Sequence, residues 1–352
     1  MRSFVKVLSL ITALLLCLSF SACGKDESPD VPSSNIPSSS EPPVSSEPVS
    51  TKVVNPLTGV EDLEKEDASF KPVAIAINNV KVAQPIQAGV SNADIVFETV
   101  TEAGITRLLA IIKAPTADMG KIGSIRSARA VFAELASMMN AVYVHHGMDE
   151  YYCRPRVNAL KVPRIEINSN SNGERISNGK AWEHTLYTSG EKLRNDLVKK
   201  GYNKEKEAEP WLNFTADKAA STNLANSVTV KFNSASVSNF TYDPASGKYT
   251  RGVSGKVLND YFNDKPSTFT NVFVLYTDIS PYSDNYHTKV QLNGGNGYYV
   301  TKGGYEKITW KKTGDHSPLS FKDASGNELA VTPGKSYICI VDKDTSNSFT
   351  AQ

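Results

Sequence analysis

The chain reads as a mixed fold, α+β or α/β: an N-terminal mixed sheet packed with helices, followed by a smaller, mostly β C-terminal domain. Three observations predict it. Pro72-Val-Ala-Ile-Ala-Ile-Asn-Asn79 is apolar on both faces, as a covered central strand must be. Between Ala128 and Asn140, residues Val131, Phe132, Leu135, Met138 and Met139 share one face of an amphipathic helix. From about Val228 onward, short β-rich runs alternate with turn signals such as Asp243-Pro-Ala-Ser-Gly247 and Asn293-Gly-Gly-Asn-Gly297.

Taken in order, the chain opens with residues that do not belong to the fold. Arg2 and Lys6 precede an apolar run from Val5 to Phe20, and the small residues Ser21 and Ala22 precede Cys23. That is the pattern of an exported, processed segment. Residues 1–22 are therefore expected to be a signal peptide, and Cys23 the lipidated N-terminus of the mature protein. The alternative is an uncleaved membrane anchor, since the run approaches spanning length. Gly24 to Ser50 is rich in Ser and Pro and almost without apolar residues, so residues 23–52 read as the lipidated cysteine and a disordered tether. As a coil the tether reaches about 30 Å, and fully extended about 90 Å.

Residues 53–226 and 227–352 are then the two domains, since 352 residues suffice for two cores. Asn55-Pro-Leu-Thr-Gly59 is a turn. Ala93–Val100 and Ile105–Lys113 read as two strands joined by the short turn Thr101-Glu-Ala-Gly104, hence a hairpin. Lys121-Ile-Gly-Ser-Ile-Arg-Ser-Ala-Arg129 leads into the amphipathic helix, and Ala141–His146 follows as a strand. The run 168–180 is polar and turn-forming, long enough for a mobile flap. Ser189 caps a short helix, Glu191 to Lys200, that stops at Gly201. A formal charge of +1 and the lack of polybasic runs exclude a nucleic-acid binder. Of the four cysteines, only Cys153 and Cys339 fall in the domains. The oxidising exterior permits a disulfide between them without implying one.

Several segments together resemble the YerB-like lipoprotein family of Gram-positive bacteria. They include Asn55–Gly59, Pro72–Asn79, Ala93-Asp-Ile-Val-Phe-Glu98, Gly104-Ile-Thr-Arg-Leu-Leu-Ala110, Ser124-Ile-Arg-Ser-Ala-Arg129, His146-Gly147, Gly247-Lys-Tyr-Thr-Arg251 and Ile308-Thr-Trp-Lys-Lys312. The resemblance implies an N-terminal α/β domain, a smaller β-rich C-terminal domain, and no established activity. Two positions depart from the family pattern: Gln84-Pro85 replaces an expected Arg-Pro, and His184-Thr185 an expected His-Asn.

Candidate site residues follow from where an α/β sheet exposes its chemistry, beyond the carboxyl ends of strands and at helix entrances. Asn78 and Asn79 end one strand, His145 and His146 end another, and Ser124, Arg126 and Arg129 open the connecting helix. Glu98, Glu102 and Arg107 surround the hairpin turn, on the same edge or the opposite one. His184 stands with these as a ligand-binding candidate. Cations at a helix N-terminus oppose the macrodipole, so Arg126 and Arg129 need a negative partner. Either Glu98 and Glu102 pair with them internally, or an anionic ligand completes a pocket with guanidinium forks. His145 and His146 point to opposite faces of a strand and cannot share an ion, so no metal and no cofactor are expected. No Gly-x-Ser-x-Gly elbow is present to support a serine nucleophile.

The functional expectation is a lipoprotein on the outer face of the cell membrane, held by lipid on Cys23. It would bind an anionic small molecule, a cell-wall fragment or an envelope protein without catalysis. The opposing expectation is a cell-wall-active hydrolase or transferase using the Glu98, Glu102 and His145 neighbourhood.

Overall fold

The computed structural model describes residues 51–206 and 208–352. The expected signal peptide, Cys23 and nearly all of the tether lie outside the described residues. An eleven-stranded sheet runs through the fold. In chain order its strands are β1 (Val73–Asn78), β2 (Ile95–Glu102), β3 (Ile105–Ile112), β4 (Val142–His145) and β5 (Arg164–Glu166) from the first half. The second half supplies β6 (Asn223–Leu224), β7 (Asn271–Thr277), β8 (Gly294–Thr301), β9 (Gly304–Lys311), β10 (Ser320–Lys322) and β11 (Ser336–Asp342). Across the sheet the order is β6-β9-β8-β7-β11-β2-β3-β1-β4-β5, with β10 beside β9. The two halves meet where β11 pairs in parallel with β2, Ser336 to Glu98 spanning the seam.

Alternation along the strands explains why both faces are dry. On β1, Ala74 and Ala76 enter one core while Val73, Ile75 and Ile77 enter another. On β2 and β3, Phe97, Leu109 and Ile111 join the first core, and Val96, Leu108 and Ala110 the second. Helices α1 (Ala130–Met138) and α2 (Cys153–Ala159) cover the first face. All five residues assigned to the apolar face of α1's segment are buried, each worth about 1.5–3 kcal/mol of transfer free energy. The second face is covered mostly by strands. A six-stranded sheet centred on Ser227–Lys231, Val237–Asp243 and Lys248–Val253 contributes Val228, Val230, Phe240 and Tyr249. A three-stranded sheet (Lys121–Gly123, Leu186–Ser189, Glu174–Arg175) and helix α3 (Gly190–Lys199) complete it.

The expectation of an N-terminal sheet packed with helices is thereby corrected. The described residues hold three α-helices of 9, 7 and 10 residues. The β-rich C-terminal part stands as expected. Sheet-on-sheet packing takes the place of helices because the apolar runs of the second half are strands long enough to bury a whole face. Local expectations fared better. Ser189 Oγ accepts from Lys192 N at 3.2 Å, capping α3, and Gly201 ends it at φ +74°. The 168–180 run, by contrast, was expected as a mobile flap and is instead tied down: Glu174–Arg175 pairs with Leu186–Tyr187, and Asn172 Nδ2 donates to Asp196 Oδ2 at 2.7 Å. Cys153 and Cys339 are both free and buried, one in each core, with the sheet between them.

Candidate functional site

The segment Ser124–Ala128 lies at the carboxyl ends of the parallel strands β1 and β4. Asn78 N donates to Ser124 O (3.0 Å), Arg126 N to Ala76 O (2.9 Å) and His146 N to Arg126 O (3.0 Å). Helix α1 starts only at Ala130, with Arg129 as its N-cap residue. Arg126 therefore sits outside the helix, wedged between strand ends, and only Arg129 stands at the entrance.

Arg129 is answered internally. Its Nε donates to Glu102 Oε2 and its Nη2 to Glu102 Oε1, both at 2.8 Å, a two-pronged guanidinium–carboxylate pair. Arg107, 2 % exposed, donates to Glu102 Oε1 at 2.5 Å and to Ser127 O at 2.8 Å. Burial pushes the Glu102 carboxyl up, but Arg107 and Arg129 outweigh it and hold the group at about 2. Burial, then repulsion from Arg129, pull the Arg107 guanidinium down to about 10, against the attraction of Glu102. The hairpin explains the geometry. A bulge between Val100 and Glu102 places Glu102 opposite Ile105, on the side where Arg107 projects.

Glu98 projects to the other face. Asn79 Nδ2 (2.7 Å) and Thr106 Oγ1 (2.8 Å) donate to its Oε1, while Ser238 Oγ (2.7 Å) and Tyr337 OH (2.6 Å) donate to its Oε2. Asn79 Oδ1 in turn accepts from Gln87 Nε2 (2.8 Å) and Arg251 Nη2 (3.0 Å). Glu98 and Asn79 thus belong to a buried network shared with the second half, and Glu102, Arg107 and Arg129 to a separate one. The strand ends do not gather all the candidates into one pocket.

What remains is a corner built by Asn78, Ser124, Arg126 and His184. Asn78 Nδ2 lies 2.7 Å from His184 Nδ1, so with the amide donating, the neutral ring carries its proton on Nε2. Burial, then the charge of Arg126, pull the His184 imidazole below its ordinary range. Arg126 Nη1 donates to Glu183 O at 3.0 Å, while its Nε is buried without a hydrogen-bond partner. Ser124 is fully buried and its Oγ is likewise unpartnered. No carboxylate among the described residues forms an ion pair with Arg126.

His145 and His146 diverge, as strand alternation requires. His145 Nδ1 donates to Gly147 O (2.9 Å) and His146 Nδ1 to Ile167 O (2.7 Å). His145 Nε2 is buried and unpartnered, and burial pulls this ring below its ordinary range. Among the described residues no group of three or more His, Cys, Asp or Glu could hold a metal ion.

Sequence reasoning missed several participants. Ser238 and Tyr337 come from distant strands and carry no local signature, and Arg251 stood out only as the end of the Gly247-Lys-Tyr-Thr-Arg251 segment. Arg175 and Trp182 flank Arg126's carbonyl acceptor and had only the polar texture of their loop as a signal. It also missed a cavity of about 270 Å³ at the opposite ends of β1 and β4, lined by Leu57, Phe70, Met138, Met139, Trp211 and Lys113. Lys113, which donates to Ala68 O at 2.9 Å, is pulled by burial to about 8.

A putative lipoprotein named YerB from Bacillus subtilis (strain 168) is 30 % identical over 301 residues, covering 82 % of this chain and 86 % of the relative. The crystal structure of YerB protein from Bacillus subtilis matches with a TM-score of 0.73 and 27 % identity, over 86 % of this chain and all of that one. Among the described residues no helix is long and apolar enough to cross a membrane. Residues 57–203 match the N-terminal domain, and residues 228–338 the C-terminal domain, of the family described as protein of unknown function DUF3048. The chain belongs to that family and is YerB-like over most of its length.

Proposed function

We propose that the mature protein is a lipoprotein held by acylated Cys23 on the outer face of the cell membrane, where it binds an anionic ligand without transforming it. The apolar N-terminal run, the small residues before Cys23 and the likeness to a lipoprotein relative support the anchoring. One observation carries the binding reading: among the described residues no carboxylate forms an ion pair with Arg126. Arg107 and Arg129 are committed to Glu102, whereas Arg126 makes a single side-chain hydrogen bond, to a neutral carbonyl. A phosphate or carboxylate at this corner supplies the countercharge that the guanidinium lacks. The paired-carboxylate route to a hydrolase or transferase finds no support, because Glu98 and Glu102 project to opposite faces and both are enclosed by donors.

The test is thermal unfolding of the full chain in detergent, at constant ionic strength, with phosphate, acetate or chloride added. Phosphate or acetate should raise the melting temperature of the wild type, as a ligand that binds only the folded state must. Arg126→Ala should abolish the rise. A rise that persists in Arg126→Ala, or no rise with any anion, refutes the reading. Anchoring is checked separately: Cys23→Ser should lose incorporation of a fatty-acid probe.

A further inference from the structure

We infer that the anionic ligand is an acidic sugar, a pyranose carrying a carboxylate, whose ring packs on Trp182 while its carboxylate meets Arg126. This deepens the binding reading above and rests on it.

The short turn Trp182–His184 is held from both sides by guanidiniums. Arg126 Nη1 donates to Glu183 O at 3.0 Å, and Arg175 Nη1 donates to Trp182 O at 2.7 Å. Arg175 also lies over the indole, its Cζ 3.1 Å from the ring centroid. Trp182 is nevertheless 68 % exposed, so one face of the ring is taken and the other is open to solvent. Of the remaining two tryptophans, Trp310 is buried in the first core and Trp211 packs, partly buried, against it.

An exposed tryptophan is ordinarily free to change rotamer. This one is fixed by the stacked guanidinium, so a ligand packing on it loses little side-chain entropy. A flat, apolar, preoriented platform next to a charged fork suits a molecule with one apolar face and one carboxylate. The aliphatic face of a pyranose provides the first and a uronic-type carboxylate the second. One polar group stands on the same turn: Nε2 of His184 carries the ring's remaining proton, 3.7 Å from Glu183 Oε1. The local charge favours an anion further: Lys180 joins Arg126 in lowering the proton affinity of His184, against Glu183 alone.

Glucuronate, glucose and acetate, titrated into the full chain, test this through two readouts, the melting temperature and tryptophan emission. Glucuronate should bind about tenfold or more tighter than acetate, the equivalent of roughly 1.4 kcal/mol. It should shift or quench tryptophan emission where acetate does not, and glucose should bind at least about tenfold more weakly than glucuronate. In Trp182→Ala, whose exposed position spares the core, glucuronate and acetate should become equal. Arg126→Lys, which keeps the charge but not the fork, should weaken glucuronate while leaving the fold intact. Equal binding of acetate and glucuronate in the wild type, or an unchanged preference in Trp182→Ala, overturns the sugar and leaves the anion. Failure of every anion to bind overturns both.

Discussion

Glu102 is the residue on which the first network turns, since one carboxylate satisfies two guanidiniums. Replacing it by Gln leaves Arg107 buried without a countercharge. Unfolding in urea should then show a loss of about 3–5 kcal/mol, the usual result of breaking a buried pair from one side. Arg126→Ala should cost no more than about 1.5 kcal/mol, the net worth of one hydrogen bond. The contrast matters because Arg126 and Arg129 belong to the same Ser-x-Arg-x-x-Arg stretch and look equivalent in the sequence, yet only Arg129 is tied to Glu102. The pH dependence carries a definite sign. The folded-state pKa of Glu102, about 2, lies below its ordinary 4.5. Its stabilising contribution is therefore complete above pH 4.5 and is lost as the pH falls through 2. Asp94 behaves oppositely: burial raises it from 3.8 to about 6, against its hydrogen bond from Lys113 N. Its contribution is complete below pH 3.8 and is lost as the pH rises through 6. Acid titrations of Glu102→Gln and Asp94→Asn should flatten different limbs of the stability profile.

The hairpin β2–β3 shows what a sequence can and cannot announce about an element. Its two strands were legible from Ala93–Val100 and Ile105–Lys113, because apolar alternation and a glycine turn are local signals. The faces on which Glu98 and Glu102 emerge were not legible. A bulge adds one residue to one strand, and nothing in Thr99-Val-Thr-Glu102 marks where it falls. The same holds for the helix entrance: the apolar face of α1 was readable, but its start was placed near Ala128 rather than Ala130. The second half's strands were also readable, whereas their closure over the N-terminal sheet depends on pairings far apart in sequence. The hairpin turn itself gives an element-scale prediction. Ala103 and Gly104 both have positive φ, +47° and +73°, as a two-residue turn of mirror-image type I requires. Glycine tolerates this; alanine is strained by its Cβ. Ala103 is solvent-exposed, so Ala103→Asn should fit and stabilise the fold by about 0.5–1 kcal/mol, read from the urea midpoint at unchanged slope.

At the scale of the whole molecule, the Glu98 network couples the two halves. Its carboxylate takes donors from Asn79 and Thr106 on one side and from Ser238 and Tyr337 on the other. Arg251, also from the second half, reaches both Asn79 and Gln87 at 3.0 Å. The seam between β2 and β11 lies directly beside it, with Cys339 in register with Glu98. Neither half can unfold without stripping hydrogen bonds from a buried carboxylate and exposing an unpaired sheet edge of the other. Calorimetry of the full chain should accordingly give one cooperative transition, with calorimetric and van't Hoff enthalpies equal. The coupling can be measured across the seam. Glu98→Gln removes a charged acceptor from the first half, and Tyr337→Phe removes one donor from the second. If the network binds the halves, the two substitutions are non-additive, with a coupling free energy of about 0.5–3 kcal/mol. Phe at 337 fills the same volume within the aromatic cluster of Phe240 and Phe269, so packing loss does not confound the cycle. Additive effects together with two separate transitions would mean that the halves are stabilised independently and the sheet seam is incidental.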